Sequence, residues 1–245
     1  MKLGFIGTGK ITSSVISGIC SSKINYKKIF ISSRNSLIAK GLKKKFKKIF
    51  IEKDNQKIVD NCDWIFLAVT PTVGHKIIKN LRFRSSQTII SFISTINLSE
   101  LRKMIKVKAD LVRAIPLPPI SLKKGPVPIC PPNRRVKNFF NKIGSTIEIK
   151  NEKLSKNFWA ISGTMASFYE LLNVLSKWLI RKKTSKIDAQ QYVTLLYSAL
   201  AQLALLNSSK PLKNLVKRQQ FIVQAQILGV FFLKWVLIWS PYLQI

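Results

Sequence analysis

A chain of 245 residues with 47% hydrophobic side chains has enough apolar mass for a substantial core, which excludes a disordered or low-complexity protein and allows one large domain or two smaller ones. Its three cysteines, Cys20, Cys62 and Cys130, are odd in number and widely spaced, which argues against a disulfide framework or a zinc site and for a reduced, cytoplasmic setting. Forty-two Lys and Arg against ten Asp and Glu give a net charge of +32, which invites an anionic partner. The basic residues are mostly lysines spread along the whole chain, however, and the densest run, Lys43-Lys44-Lys45-Phe46-Lys47-Lys48, reads as a solvated helix face. No specific nucleic-acid partner is expected.

Met1-Lys2 leads straight into an apolar run, so no signal peptide is expected. Leu3-Gly4-Phe5-Ile6 reads as a strand and Lys10 to Ser21 as a helix. Lys28 to Ile31 is a second strand that ends in the polar corner Ser32-Ser33-Arg34-Asn35, and Ser36 to Phe46 is a helix. Ile49 to Ile51, Trp64 to Val69, Thr88 to Phe92 and Leu111 to Ala114 read as further strands. Asn55 to Asn61, Val73 to Leu81 and Leu98 to Ile105 are the helices between them. Continuous apolar strands separated by helices argue for a parallel sheet covered on both faces.

Pro116, Pro118 and Pro119, then Gly125-Pro126, Pro128 and Pro131-Pro132, interrupt regular structure. Val136 to Ile143 reads as a helix and Ser145 to Ile149 as a last strand. From Leu154 onward the pattern is helical only, with long apolar faces over Phe158 to Leu179 and Asp188 to Leu206. Leu195, Leu196, Ala199, Leu200, Leu203 and Leu206 recur at helical spacing, the mark of a core or a dimer interface. The expected fold is therefore α/β: an N-terminal Rossmann-type parallel sheet over residues 1–150, then an all-helical domain over 151–245.

Gly7-Thr8-Gly9 directly behind the first strand is the turn of a dinucleotide-binding βαβ unit, in which Gly7 allows the tight turn and Gly9 lets backbone approach a pyrophosphate. The third small position of that fingerprint falls on Thr12, whose branched side chain is expected to loosen helix–strand packing. The second strand ends without the Asp or Glu that would bind ribose hydroxyls. It carries Arg34 beside Ser33, a fork and a hydroxyl suited to the 2′-phosphate of NADP, with NAD as the alternative. His75 is the only histidine and reads as a surface residue, so neither a triad nor a histidine metal site is available. No catalytic residue is assigned, and no metal is expected. This scarcity fits hydride transfer, where a cofactor supplies the chemistry and the protein supplies orientation.

The segments Leu3 to Gly9, Ile31 to Arg34, Asp63 to Pro71, Ile89 to Ser94 and Val112 to Pro116 together resemble pyrroline-5-carboxylate reductase in order and spacing. Ile161 to Phe168 stands where that family has a Ser-Gly-Ser-Gly-Pro-Ala-Tyr segment, and the resemblance extends over residues 1–216. It implies an NAD(P)H-dependent reductase that makes proline from 1-pyrroline-5-carboxylate, built as a Rossmann domain plus a helical dimerisation domain. It further implies that Gly7, Thr8, Gly9, Lys10 and Ile11 hold the cofactor, with Ser33, Asn55, Ala68, Val69, Thr70, Pro71 and Ser94, to which the residues' own chemistry adds Arg34. A small-molecule substrate would lie near Ser162, Gly163 and Thr164, in a homodimer or higher homo-oligomer.

The chain departs from that family in several places. Thr70 replaces a lysine, Pro116-Leu117-Pro118-Pro119 replaces Pro-Asn-Thr-Pro, and the Ser/Thr-Pro-Gly-Gly motif expected shortly after Val216 is absent. Lys217-Arg218-Gln219-Gln220-Phe221 follows instead, then an apolar stretch over Ile227 to Trp239, with no acidic residue after Asp188. Three accounts of this tail stay open: a shifted reading frame, a divergent helix in the dimer, and a membrane-associated anchor. Two other functional readings stand beside the leading one: a related imine or carbonyl reductase with another substrate, and a non-catalytic nucleotide-binding or basic membrane- or nucleic-acid-associated protein.

Overall fold

Strand β1 (Lys2–Ile6) is buried from Leu3 to Ile6 because it runs between β2 (Lys28–Ser32) and β4 (Trp64–Leu67), parallel to both. A computed structural model, which describes residues 1–223, extends this centre into an eight-stranded sheet. The remaining strands are β3 (Ile49–Glu52), β5 (Thr88–Ser91), β6 (Asp110–Ala114), β7 (Pro126–Cys130) and β8 (Ser145–Glu148), and the order across the sheet is β3-β2-β1-β4-β5-β6-β7-β8. All pairings are parallel except that of β6 with β7.

Successive residues of the central strands point to opposite faces, and each face has its own apolar cluster. Phe5, Phe66, Ile90 and Val112 pack with helices α1 (Lys10–Cys20), α2 (Ser36–Lys45) and α6 (Arg134–Phe140). Ile6, Ile65, Leu67, Ile89 and Leu111 pack with α3 (Asn55–Asn61) and α5 (Leu98–Ile105). Phe5 and Phe66 are direct cross-strand partners, and their rings stack at 4.3 Å between centroids. Helix α4 (Pro71–Ile77) completes the series and carries His75 on an exposed face.

The proline-rich stretch contains a strand that the sequence reading passed over. Pro126 and Pro128 lie in β7, one strand in from the sheet edge, a position that proline seldom tolerates. The direction of the missing donors explains it. The Pro128 carbonyl accepts from the Ile115 N–H on the β6 side at 3.1 Å, whereas the Ile129 carbonyl accepts from Ile149 on the β8 side at 2.8 Å. Both prolines therefore turn their donorless nitrogens toward β6, where only Arg113 and Ala114 are paired. Val127 and Ile129 keep their donors for the four-residue ladder to β8.

The chain divides into two compact units, Met1–Ser162 and Gly163–Ile245. This division lies beyond the expected boundary at 150, because α7 (Ser155–Ser162) packs on β7 of the sheet unit. The expected helix over Phe158 to Leu179 is broken at Gly163 and Thr164, where α7 stops and α8 (Met165–Arg181) begins. Within the second unit α8 packs on α9 (Lys186–Leu206), with the Phe168 and Tyr197 rings edge-on at 6.2 Å. Ser185 caps α9 by accepting from the Asp188 N–H at 3.1 Å. Helix α10 (Lys213–Val223) follows. The apolar stretch Ile227 to Trp239 lies outside the described residues, and no helix among the described residues is long and apolar enough to cross a membrane.

Candidate functional site

The turns that follow five consecutive parallel strands converge on one end of the sheet: Gly7–Gly9 after β1, Ser33–Asn35 after β2, Asn55 beyond β3, Ala68–Pro71 after β4 and Ser94 after β5. The carboxyl ends of parallel strands, where the strand order reverses about β1, are where open α/β sheets bind ligands. Here a cleft of about 500 Å³ is lined by Gly7, Thr8, Gly9, Arg34, Asn35, Ser36, Leu37, Ala68, Val69 and Thr70.

Side chains of the next strand brace the glycine turn. The Gly7 N–H donates to the Ser32 hydroxyl at 2.9 Å, and the Thr8 hydroxyl donates to the Ser32 carbonyl at 2.6 Å. Gly7 has φ +104°, and a Cβ there would lie 2.3 Å from the Ala68 carbonyl oxygen, so glycine is required by the fold itself. Gly9 differs. Its φ of −95° and ψ of −172° suit any residue, and a Cβ would meet nothing within 4 Å. No neighbour in the chain demands glycine at this point, but a group entering the cleft to bond the turn would.

Gly9 is also the cap of α1 and has no side chain to satisfy the helix's first amides, and the first turn contains no acidic residue. Those free N–H groups and the positive end of the helix dipole make an anion cradle. The expected loosening by Thr12 is not found. Thr12 is fully buried, and its hydroxyl donates to the Gly7 carbonyl at 2.8 Å, which ties the helix to the turn in place of the close packing a glycine would give.

Arg34 is exposed at the rim and pairs with no carboxylate among the described residues. Glu52, which ends the neighbouring strand β3, is occupied locally: its Oε1 accepts from the Lys53 and Asp54 N–H groups at 2.8 and 3.2 Å. The other sequence candidates stand outside the cleft wall. Lys10 and Ile11 form the first turn of α1, Ser33 follows β2 and donates its N–H to the Glu52 carbonyl at 3.1 Å, and Pro71 is the first residue of α4. Asn55 opens α3 with its Oδ1 buried and without a hydrogen-bond partner. Ser94 is exposed, and its carbonyl accepts from the Arg113 guanidinium. Ser162 ends α7 with its hydroxyl on the Phe158 carbonyl at 3.0 Å, while Gly163 and Thr164 begin the second unit.

Sequence reading missed Ser32, Asn35, Ser36 and Leu37. Leu37 is an apolar side chain left 83% exposed at the cleft, and its position in the first turn of a helix gave no reason to look there. Among the described residues no group of three His, Cys, Asp or Glu could hold a metal ion. The cleft therefore offers backbone amides, a guanidinium and hydroxyls, a donor set that fits a dinucleotide: the Gly9 opening and α1 amides for its pyrophosphate, Arg34 for a further phosphate.

Comparison with known proteins agrees with this geometry. Residues 2–96 match the family model described as NADP oxidoreductase, coenzyme F420-dependent. Pyrroline-5-carboxylate reductase 3 of Danio rerio is 28% identical over 130 residues, 51% of this chain; the match spans 44% of that protein's length. The fold is that of solved 1-pyrroline-5-carboxylate reductases. The Streptococcus pyogenes structure aligns over 94% of this chain and 92% of its own, with a TM-score of 0.74 and 23% identity. The Plasmodium falciparum pyrroline carboxylate reductase with NADP bound aligns over 96% and 93%, with a TM-score of 0.76 and 21% identity. The curated relative and the solved folds bear out the resemblance to pyrroline-5-carboxylate reductases on a Rossmann-type architecture, and the family model places residues 2–96 among sequences described as NADP oxidoreductases.

Proposed function

We propose that this chain is an NADPH-dependent reductase that converts 1-pyrroline-5-carboxylate to proline as a cytoplasmic homodimer. The observation that carries the cofactor half of this reading is Gly9, a glycine that no neighbour requires, at the open mouth of an uncapped helix. The unpaired Arg34 and the locally occupied Glu52 favour a 2′-phosphate over bare ribose hydroxyls. When bound, the nicotinamide supplies the hydride. The chain's part is to hold and orient: the α1 amides fix the pyrophosphate, Arg34 fixes the adenosine end, and Ala68–Thr70 close the wall after β4. A protonated cyclic imine is already electrophilic, so orientation can suffice without a strong protein acid.

The substrate half rests on the resemblance. The dimer is supported by α9, which leaves Leu195, Leu196, Leu200, Leu203 and Leu206 exposed at helical spacing, a patch that calls for a partner surface. Sedimentation at micromolar concentration should give twice the chain mass, and a monomer would remove this element.

A second reading, cofactor binding without turnover, has its own observation. Helix α10 runs from Lys213 through Val223, over the stretch where the resemblance implies a Ser/Thr-Pro-Gly-Gly motif that this sequence lacks. Purified protein given NADPH and pyrroline-5-carboxylate separates the two. Loss of NADPH absorbance with proline formed, and rescue of a proline auxotroph, are the results expected of the reductase. NADPH binding with no turnover would leave the second reading standing.

A further inference from the structure

A buried polar cluster sits beyond the cleft, around Arg113 on β6, whose side chain is only 4% exposed. Its two terminal nitrogens diverge: Nη1 donates to Glu152 Oε1, and Nη2 donates to the carbonyl of Ser94. Its guanidinium carbon lies 4.7 Å from the centre of the Trp159 ring on α7. Glu152 Oε1 also accepts from the Leu98 N–H at 2.9 Å. One arginine thus joins three segments far apart in sequence: the 94–98 turn after β5, strand β6, and the 152–159 segment. The Nε of Arg113 and the Nε1 of Trp159 are buried without a protein hydrogen-bond partner.

A largely buried ion pair is weak evidence of a stabilising role. Well-packed apolar side chains commonly replace a buried ion pair at no loss of stability. What an apolar residue cannot do is bond a backbone carbonyl and a carboxylate at once, and that needs the planar fork of arginine. The bonded carbonyl is informative. Arg34 ends the β2 side of the candidate site and Ser94 the β5 side, with β1 and β4 between them. A dinucleotide whose phosphate-bearing adenosine is held at Arg34 and whose pyrophosphate is held at Gly7–Gly9 must direct its reactive half toward β4 and β5.

We propose that Arg113 is a positioning residue, which holds the Ser94 turn in the conformation that seats the reactive half of the dinucleotide. It acts through Ser94 and Glu152 and touches no reacting atom. The proposal rests on the reductase reading above, and its test has an arm that does not.

The full-length chain is compared with its Arg113→Lys and Glu152→Gln variants, which keep side-chain bulk and limit the risk of misfolding. Hydrogen exchange is followed at amides 93–98 and, as an internal reference, at amides 2–6 of β1. We expect exchange at 93–98 to quicken by about tenfold or more in both variants while β1 stays unchanged, the pattern of local opening. The Kd for NADPH should move less than about threefold, whereas kcat with pyrroline-5-carboxylate should fall by about 10- to 100-fold, the scale of a displaced reacting group. A merely structural role would instead loosen β1 together with 93–98 and lower affinity and turnover together. Unchanged exchange at 93–98 in both variants overturns the proposal, and so does equal quickening in β1. Should the parent protein turn over no imine, the reductase reading fails by itself, and the exchange arm still decides the role of Arg113.

Discussion

Alanine at Gly9 is expected to leave the protein as stable as before, or slightly more so, and to cripple cofactor binding. The backbone at Gly9 is extended and a Cβ there meets no neighbour, so folding loses nothing. Restricting the unfolded chain at such a site stabilises by about 0.4–1 kcal/mol. The new methyl stands in the space through which a pyrophosphate must approach the α1 amides, and losing one charge-assisted hydrogen bond costs about 1.5–3 kcal/mol, or about 10- to 100-fold in Kd. The same change at Gly7 should do the reverse in character. A φ of +104° and a Cβ 2.3 Å from the Ala68 carbonyl oxygen force both strain and backbone displacement. These are worth about 3 kcal/mol together, a fall in Tm of roughly 6–12 °C for a chain this long. Thermal melts with NADPH fluorescence titrations read both variants. If Gly9→Ala keeps full affinity, the cleft is not the cofactor site.

Arg34→Asp is expected to separate the two nicotinamide cofactors. A guanidinium on a 2′-phosphate makes charge-assisted bonds, and an aspartate there adds repulsion to their loss. NADPH affinity should therefore drop by about 10- to 100-fold even at a solvated rim, while NADH affinity changes by less than about threefold. Arg34 is exposed and forms no ion pair among the described residues, so the fold itself should not register the change. The difference should also shrink with salt, since an exposed charge pair is screened. Equal losses for both cofactors would reject the phosphate role and leave Arg34 as a general attractor of anions.

The sheet was legible in the sequence because parallel strands buried on both faces are written as unbroken apolar runs, of which Trp64 to Leu67 is the plainest. Strand β7 was not, since Pro126 and Pro128 carry a signal against strands that only the direction of their missing donors cancels, and direction depends on which neighbour the chain later meets. The break between α7 and α8 was hidden by continuous helical apolarity across Gly163. In the cleft, the glycine turn and the Arg34 corner announce themselves by local spacing. Ser32 bracing Gly7 spans 25 positions and Arg113 bonding Glu152 spans 39, so neither has a local signature. Thr12 was misjudged for a related reason: side-chain volume is visible in a sequence, whereas its hydroxyl reaching the Gly7 carbonyl is not.

The two prolines of β7 leave a seam across the sheet. On one side the six strands from β3 to β6 are stitched by parallel ladders; on the other, β7 and β8 are stitched to each other; between them run only two residue pairs. What joins the halves beyond the Arg113–Glu152 pair is largely apolar, and its rings are the plainest part: Phe139 of α6 lies 4.8 Å from Trp64 and 5.8 Å from Phe66, and Phe140 lies 6.3 Å from Phe92. Ladder bonds are directional and break on a small shift, whereas apolar ring contacts survive sliding. The final βαβ unit is thus glued on more than woven in, and a change in sheet twist would be taken up along this join at the least cost.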